Sequence, residues 1–230
     1  MAASAFSRLY RKVMARVLSP LGFQCTEGVF WRERDGLLHV IALDRSPFDG
    51  SFTVGVAVQP LVFPFEHFML SLGERLDRFG QGIPHRWQVP ETKPEMEQVL
   101  EQFAHTVVRF AVPWLDRFQS AKDVAEAQSR GDWGVWPVER SNAEQAAALC
   151  ALDAGMFDQG KKLVKKVYKE YYVDLEEHCR RVGIDVPEWD RKRRKMYGEL
   201  LELLEEGDLE GVRRRLEENK AYTRRALGIG

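Results

Sequence analysis

The stretch Val29-Phe-Trp-Arg-Glu-Arg-Asp-Gly-Leu-Leu-His-Val-Ile-Ala-Leu43 decides the fold of the N-terminal part of the chain. Two runs rich in aromatic and aliphatic residues, 29–34 and 37–43, flank the dipeptide Asp35-Gly36. Asp-Gly is a preferred two-residue loop of a type I′ turn, because both of its positions need a positive φ. The stretch therefore predicts an antiparallel β-hairpin.

A two-residue loop also determines which residues of the hairpin lie opposite each other. It pairs Arg32 with His39 and Trp31 with Val40. The face of Trp31 and Val40 is the more uniformly apolar, so we expect it to be buried against helices. The other face mixes cationic and apolar side chains. There Arg32 and His39 are candidates for contacting an anion or a carboxylate; the alternative is a half-solvated face on which arginine stems cover apolar neighbours.

The segments around the hairpin predict an α+β domain over residues 1–140. It consists of an N-terminal helix plus a small antiparallel sheet with packed helices. Alternation of apolar and small residues in Phe52–Val58 predicts a third strand. Apolar spacing and proline positions predict helices over 4–18, 65–79 and 93–112, and a short helix ending near 128.

Composition changes near residue 140. Five of the six Trp and twelve of the thirteen Phe precede Ser141, whereas five of the six Tyr follow it. Helical periodicity without strand-like runs predicts an all-helical domain over 141–230. Its four helices are bounded by a capping box at Ser141, by Gly155, by Pro187 and by Gly207-Asp208.

A weak internal repeat occurs in this second part. Leu152-Asp-Ala-Gly155 is echoed by Leu204-Glu-Glu-Gly207, and basic residues follow both copies. Each copy predicts a helix, a glycine turn and a second helix, the αα-hairpin from which helical-repeat proteins are built. A helical hairpin array and a plain four-helix packing are both compatible with this pattern.

Five short motifs follow one another in the N-terminal part. They are Pro20-Leu-Gly-Phe23, Phe30-Trp-Arg32, a strand ending in Asp44-Arg-Ser46, Phe52-Thr-Val-Gly-Val56 and Pro113-Trp114-Leu115. In this order they resemble a bacterial family of uncharacterised proteins, domain of unknown function 4304. That family commonly has Gln or Asn near the position of Arg45, where this chain departs. The resemblance covers about residues 6–120, implies a fold but no activity, and does not extend to the C-terminal helices.

Bulk composition excludes several classes of protein. The chain is 44% hydrophobic and 30% charged, a composition typical of folded domains. Its net charge of -1 creates no overall electrostatic field that would attract nucleic acid or a membrane. Residues 4–18 mix apolar with basic side chains, unlike a signal peptide, and no apolar run is long enough to cross a membrane. We therefore expect a cytoplasmic protein without a membrane partner.

Motif searches predict no catalytic site, no metal and no cofactor. Phosphate-binding glycine loops, a GxSxG elbow and an HExxH pair are all absent from the sequence. Cys25, Cys150 and Cys179 are far apart, which supports neither a zinc site nor a disulfide framework. The five histidines are scattered.

Two basic clusters stand in the helical part, at 161–169 and 191–195. The candidate binding residues are Lys162, Lys166, Arg193 and Arg194. If the two helices are antiparallel, the clusters should lie within roughly 10 Å of each other along the bundle axis, because each helical residue advances by about 1.5 Å. A joint surface of this kind binds nucleic acid. The alternative is two solvated helix faces whose charge is compensated by nearby glutamates.

The sequence thus favours a non-catalytic protein-interaction module with an unknown protein partner. Hairpin scaffolds usually bind partners, and no catalytic constellation is visible. One alternative is a nucleic-acid-associated protein that uses the basic clusters. Another is an enzyme whose site is assembled from residues distant in sequence.

Overall fold

The computed structural model of the protein describes residues 2–70, 72–132 and 140–229. They form two compact units: unit 1 contains residues 2–59 and 68–119, and unit 2 contains residues 60–67, 120–132 and 140–229. The predicted α+β class is confirmed. The predicted division after residue 140 adjoins residues 133–139, which lie outside the described residues, and it stays a prediction.

Unit 1 is an antiparallel sheet with packed helices, and its strands follow the order β1-β2-β3-β4-β5. The strands are β1 (Gln24–Thr26), β2 (Val29–Arg34), β3 (Leu37–Arg45), β4 (Phe52–Pro60) and β5 (Gly73–Arg75). The helices are α1 (Ala2–Leu18), α2 (Lys93–Thr106) and α3 (Val112–Leu115). A π-helical turn, Val107–Ala111, joins α2 to α3. The chain therefore stays helical up to Pro113, which lies in the first turn of α3.

The predicted hairpin and its register are confirmed. Asp35 and Gly36 have φ values of 40° and 77°, both positive as a type I′ turn requires. Arg32 lies opposite His39 and Trp31 lies opposite Val40. The side chains of Trp31 and Val40 are both buried.

The helices of unit 1 bring their aromatic rings to the face opposite Trp31. Tyr10 of α1 contacts Phe30, with ring centroids 6.1 Å apart. Phe6 of α1 and Phe103 of α2 lie 5.0 Å and 4.9 Å from the ring of Phe52. The core against these helices is therefore built on the face that also carries Arg32.

Two contacts of the Trp31 side chain come from outside the helices. Its ring contacts Phe68, with centroids 6.4 Å apart, in a non-helical segment after β4. Its indole Nε1 donates a hydrogen bond of 3.0 Å to Thr26 Oγ1. Both faces of the hairpin are thus buried, and the expectation of a half-solvated face is wrong.

The helix predicted over residues 65–79 is wrong. The described residues of this range form strand β5 and a 3₁₀ turn, Leu76–Arg78. Gly73 pairs with Ala57 of β4, and a Cβ at Gly73 would lie 1.8 Å from the Val56 carbonyl oxygen. Pairing with the wholly buried strand β4 determines this segment, and such pairing leaves no trace in local apolar spacing.

Unit 2 is helical. Its helices are α4 (Ala121–Arg130), α5 (Arg140–Asp153), α6 (Phe157–Val167), α7 (Asp174–Val182), α8 (Glu188–Glu206) and α9 (Leu209–Leu227). A π-helical segment, Tyr168–Val173, joins α6 and α7 into one rod. No strand occurs after residue 141 within the described range 141–229.

Most of the predicted helix ends in unit 2 are confirmed. Gly155 and Gly207 have positive φ just after α5 and α8, and Pro187 precedes the first residue of α8. The Asp208 side chain accepts a hydrogen bond from the Gly211 amide at the start of α9. Ser141, expected as an N-cap, lies inside α5 instead.

Segment 60–67 leaves the sheet and packs on α9. The carbonyl oxygen of Val62 accepts a hydrogen bond of 3.2 Å from Asn219 Nδ2. The Thr223 hydroxyl lies 3.0 Å from the Asn219 carbonyl oxygen and 3.4 Å from that of Phe63, so the two oxygens share its single proton. Asn219 and Thr223 are both buried. Within the described ranges, none of the helices combines the length and the apolar character needed to span a membrane.

Candidate functional site

Arg32 lies on β2 and is buried, with 4% of its surface exposed. Its guanidinium donates hydrogen bonds to the Leu21 carbonyl oxygen at 3.0 Å and to His39 Nδ1 at 3.2 Å, and it forms an ion pair with Asp116. It also stacks on the Phe23 ring at 4.5 Å. A carboxylate does contact this pair of residues, but Asp116 of the same unit supplies it.

His39 completes the network as a neutral imidazole. Its Nε2 lies 2.6 Å from the Phe118 carbonyl oxygen, so Nε2 carries the proton and Nδ1 is free to accept from Arg32. Burial, together with the charge of Arg32, lowers the pKa of His39 to about 4, against the opposing effect of the Phe118 carbonyl. The network ties β2 and β3 to the end of the α2–α3 helix; a role of Arg32 and His39 toward an outside ligand stays a prediction.

Lys166 of α6 compensates a buried charge. Its Nζ lies 3.1 Å from Glu144 Oε2 and 3.7 Å from Glu170. The side chain of Glu144 is 6% exposed and also accepts a hydrogen bond from the Tyr171 hydroxyl. Lys162, one turn earlier, is exposed and has no ion pair among the described residues.

Arg193 and Arg194 of α8 are also engaged within unit 2. The guanidinium of Arg193 lies over three rings, at 4.9 Å from Phe63, 5.4 Å from Phe65 and 5.2 Å from Trp189. Arg194 forms an ion pair with Glu176 of α7. These contacts hold the first turns of α8 against their neighbours.

The α6–α7 rod and α8 are antiparallel, as expected. Lys161 Nζ donates to the Leu204 carbonyl oxygen at 2.9 Å near one end, and Glu176 meets Arg194 near the other. Lys166 is ten residues from Glu176 along the rod, a helical rise of about 15 Å. Ion pairs compensate part of the charge of each basic cluster, and the joining of the two clusters into one surface stays a prediction.

A cleft of about 300 Å³ opens where α7 turns into α8. Its apolar lining comes from Tyr172, Leu175, Ile184 and Val186, and its charged lining from Glu176, Arg180, Asp185, Asp190, Arg191 and Arg194. A cleft of this size accommodates a small molecule or a single side chain. Among the predicted site residues, Arg194 lines it.

The turn between α7 and α8 presents apolar side chains to solvent. Ile184 is 64% exposed, Trp189 57% and Val182 51%. Three large apolar residues within eight positions are unusual on a monomeric surface, because each exposes hydrocarbon to water. Sequence reasoning missed this site, although the apolar residues in Gly183-Ile-Asp-Val-Pro187 are a signal for it.

Asp190 lies in the first turn of α8 and is 7% exposed at the cleft. Burial raises the pKa of its carboxyl group, and the nearby charge of Arg193 opposes this effect. Among the described residues, no hydrogen bond or ion pair to the Asp190 carboxylate is found. Its carboxylate oxygens are not among the buried unpartnered side-chain atoms of the described residues, so they reach the solvent of the cleft.

One further exposed ring lies in unit 1. Phe48 is 96% exposed in the loop between β3 and β4. The loop is ordered by the side chains of Ser46 and Asp49, which accept hydrogen bonds from backbone amides. A single exposed ring is common on protein surfaces, whereas the α7–α8 turn combines apolar exposure with a cleft.

Comparison with known proteins gives one family. The family described as "Domain of unknown function (DUF4304)" matches residues 14–117, the N-terminal part of the chain, as the motif order indicated. No curated protein and no solved structure matches the chain. Within the described ranges, no group of three or more His, Cys, Asp or Glu side chains is placed to hold a metal ion.

Proposed function

We propose that the protein is a non-catalytic protein-interaction module and that its binding surface is the α7–α8 cleft with its apolar rim. The exposure of Ile184, Trp189 and Val182 around this cleft carries the proposal. A partner that covers these side chains removes apolar surface from water, which stabilises the complex by about 25 cal/mol for each Å² buried. Tryptophan and arginine, both present here, are enriched among the residues that dominate binding at protein interfaces.

The polar lining of the cleft also favours binding over catalysis. Among its lining residues there is no histidine, cysteine, serine or threonine. A nucleophile paired with a histidine base therefore has no candidate there. The carboxylate of Glu176 forms ion pairs with Arg194 and, at 3.4 Å, with Arg180.

The nucleic-acid alternative has weaker support. Lys166 and Arg194 are ion-paired, and the guanidinium of Arg193 lies over three rings. A phosphate would have to displace these contacts, which lowers the gain from each new one. Lys162, Lys165 and Lys169 keep their charges exposed without an ion pair among the described residues, so this alternative depends on these three lysines.

A cytoplasmic location belongs to the same proposal. Cys25, Cys150 and Cys179 are free thiols, and Cys150 and Cys179 are buried. Free thiols persist in reducing compartments. Burial raises the pKa of the Cys150 thiol, so it resists deprotonation.

The test is affinity capture from the cells in which the protein is made. Tagged wild type is compared with Ile184→Asp, which places a charge on the apolar rim, and with Phe48→Asp, a matched change at an exposed apolar residue of unit 1. We expect at least one protein to be captured by wild type and by Phe48→Asp but lost from Ile184→Asp. Capture of the same proteins by all three, or loss only from Phe48→Asp, would contradict the proposal.

A further inference from the structure

Trp189, the largest of the exposed apolar side chains at the α7–α8 turn, is in contact with a cation. It lies in the first turn of α8, and 57% of its surface is exposed. The guanidinium of Arg193 lies over its ring, 5.2 Å from the ring centroid. Residues four apart on a helix are neighbours on the helix surface, so α8 alone brings the two side chains together.

Two buried rings fix the Arg193 guanidinium in turn. It lies 4.9 Å from the ring centroid of Phe63 and 5.4 Å from that of Phe65. Both phenylalanines are buried, and their rings pack edge to face at 4.5 Å. A guanidinium suits this position because it is planar, stacks on ring faces and is more weakly hydrated than an ammonium group. The buried rings therefore hold Arg193, and Arg193 holds the exposed indole.

No ion pair competes with these rings for Arg193 among the described residues. Its neighbour Arg194 pairs with Glu176. The charge of Arg193 influences the nearby Asp190 carboxyl group, but the two side chains form no ion pair. The three aromatic rings are therefore the contacts that decide where the Arg193 guanidinium lies.

An indole that is already ordered lowers the cost of forming an interface. Exposed side chains exchange rotamers within picoseconds to nanoseconds, and immobilising one of them on binding reduces the affinity. The contact with Arg193 restricts Trp189 in the free protein, so less ordering remains when a partner arrives. Large aromatic side chains that fill a pocket of the partner dominate the affinity of many interfaces.

We infer that Trp189 is the anchor of the interface, that it enters an apolar pocket of the partner protein, and that Arg193 is a positioning residue that holds the indole ready. The inference rests on the proposed function and names the anchor and the partner chemistry of that surface. Arg193 then contributes to binding only through Trp189.

The first measurement is the mobility of the Trp189 indole by ¹⁵N relaxation in the full chain. Its Nε1–H resonance is assigned by its loss in Trp189→Ala. We expect an order parameter near about 0.85 in wild type and below about 0.6 in Arg193→Gln, which removes the cation. Arg193→Lys keeps the charge without the planar group and should lie between them. Arg213→Gln is the matched control, because Arg213 lies over the Phe157 ring at 5.3 Å, and it should leave the Trp189 indole ordered.

The second measurement is a double-mutant cycle on binding. The probe is the protein that wild type captures and Ile184→Asp loses, purified and titrated against each variant. Trp189→Ala should weaken binding about tenfold or more, as truncation of an anchor does. Arg193→Gln should weaken it about two- to tenfold, the cost of ordering one side chain. In the Trp189→Ala background Arg193→Gln should have no further effect, because residues that act through one another are not additive.

A loss of folding would not give this pattern, and circular dichroism checks that each variant is folded. If Arg193→Gln does not fold, Arg193→Lys takes its place in both measurements, with smaller expected changes. An indole that stays ordered without the Arg193 cation, additive effects in the double variant, or unchanged binding by Trp189→Ala would each overturn the inference and leave the interface around Ile184 standing. If Ile184→Asp captures the same proteins as wild type, the proposed function is wrong and the inference falls with it, even where the indole is loosened.

Discussion

Replacing His39 by glutamine should remove a pH dependence of stability that the buried imidazole creates. His39 bridges Arg32 and the Phe118 carbonyl only as the neutral tautomer, because a second ring proton would point at the Arg32 donor. Glutamine retains a donor and an acceptor at the end of its side chain but does not titrate. The variant therefore separates the titration of residue 39 from its hydrogen bonding.

The magnitude follows from the pKa of His39, which burial lowers to about 4 from an ordinary 6.5. Above pH 6.5 the imidazole is neutral in both the folded and the unfolded chain, so its full contribution to stability is present. Between those two values the unfolded chain binds a proton that the folded chain excludes, and the free energy of unfolding falls by about 1.4 kcal/mol per pH unit. From about pH 7.5 to about pH 5 the loss is about 2 kcal/mol.

Urea unfolding followed by tryptophan fluorescence measures this loss. Trp31, Trp87 and Trp114 lie in unit 1 together with His39, so the signal reports mainly on that unit. Wild type should lose about 2 kcal/mol more than His39→Gln over the interval, because carboxylates that titrate in the same range contribute equally to both. His105→Gln, at an exposed position of α2, is the control and should behave as wild type. Parallel pH dependences of wild type and His39→Gln would refute the reasoning.

Three further predictions follow from other parts of the fold. Trp31→Ala should lower the free energy of unfolding by about 3–5 kcal/mol, as truncation of buried aromatic residues does, and an unchanged urea midpoint by circular dichroism would contradict its burial. Gly73→Ala should destabilise the protein more than Gly155→Ala, because its Cβ would meet a backbone oxygen, whereas a Cβ at Gly155 meets no atom within 4 Å. Gly155→Ala should cost about 1–2 kcal/mol, for its left-handed backbone alone. Equal thermal midpoints of the two variants would show that β5 is not paired as described. A labelled oligonucleotide at low salt should bind wild type and a Lys162→Glu/Lys165→Glu variant equally weakly; tight binding lost in the variant would favour the nucleic-acid alternative.

The hairpin could be predicted from sequence because its information is local. Asp35 and Gly36 determine the turn, and the turn determines that Arg32 lies opposite His39. The partner that decides the role of Arg32 is Asp116, 84 residues away. No spacing rule connects residues so far apart, so the buried network could not be predicted.

The same distinction explains the other outcomes. Residues 65–79 have helical spacing, but pairing of Gly73 with β4 overrides it. Lys166 was predicted as part of a basic surface, and its charge is compensated by Glu144 from another helix. Likewise, Asp190 looks like an ordinary acidic residue in a helical first turn, and its burial depends on how α7 and α8 pack around the turn between them.

The hydrogen bonds between segment 60–67 and α9 affect how the chain can be divided. The region that matches the family, residues 14–117, includes this segment, whose carbonyl groups at Val62 and Phe63 bond to Asn219 and Thr223. A truncated protein ending at residue 140 would keep the segment and lose both donors. It would also lose the guanidinium of Arg193, which lies over the buried ring of Phe63. Any relative that consists of the family domain alone must therefore close this loop by other means, and transplanting the domain into another protein requires redesigning residues 60–67 as well as choosing its two ends.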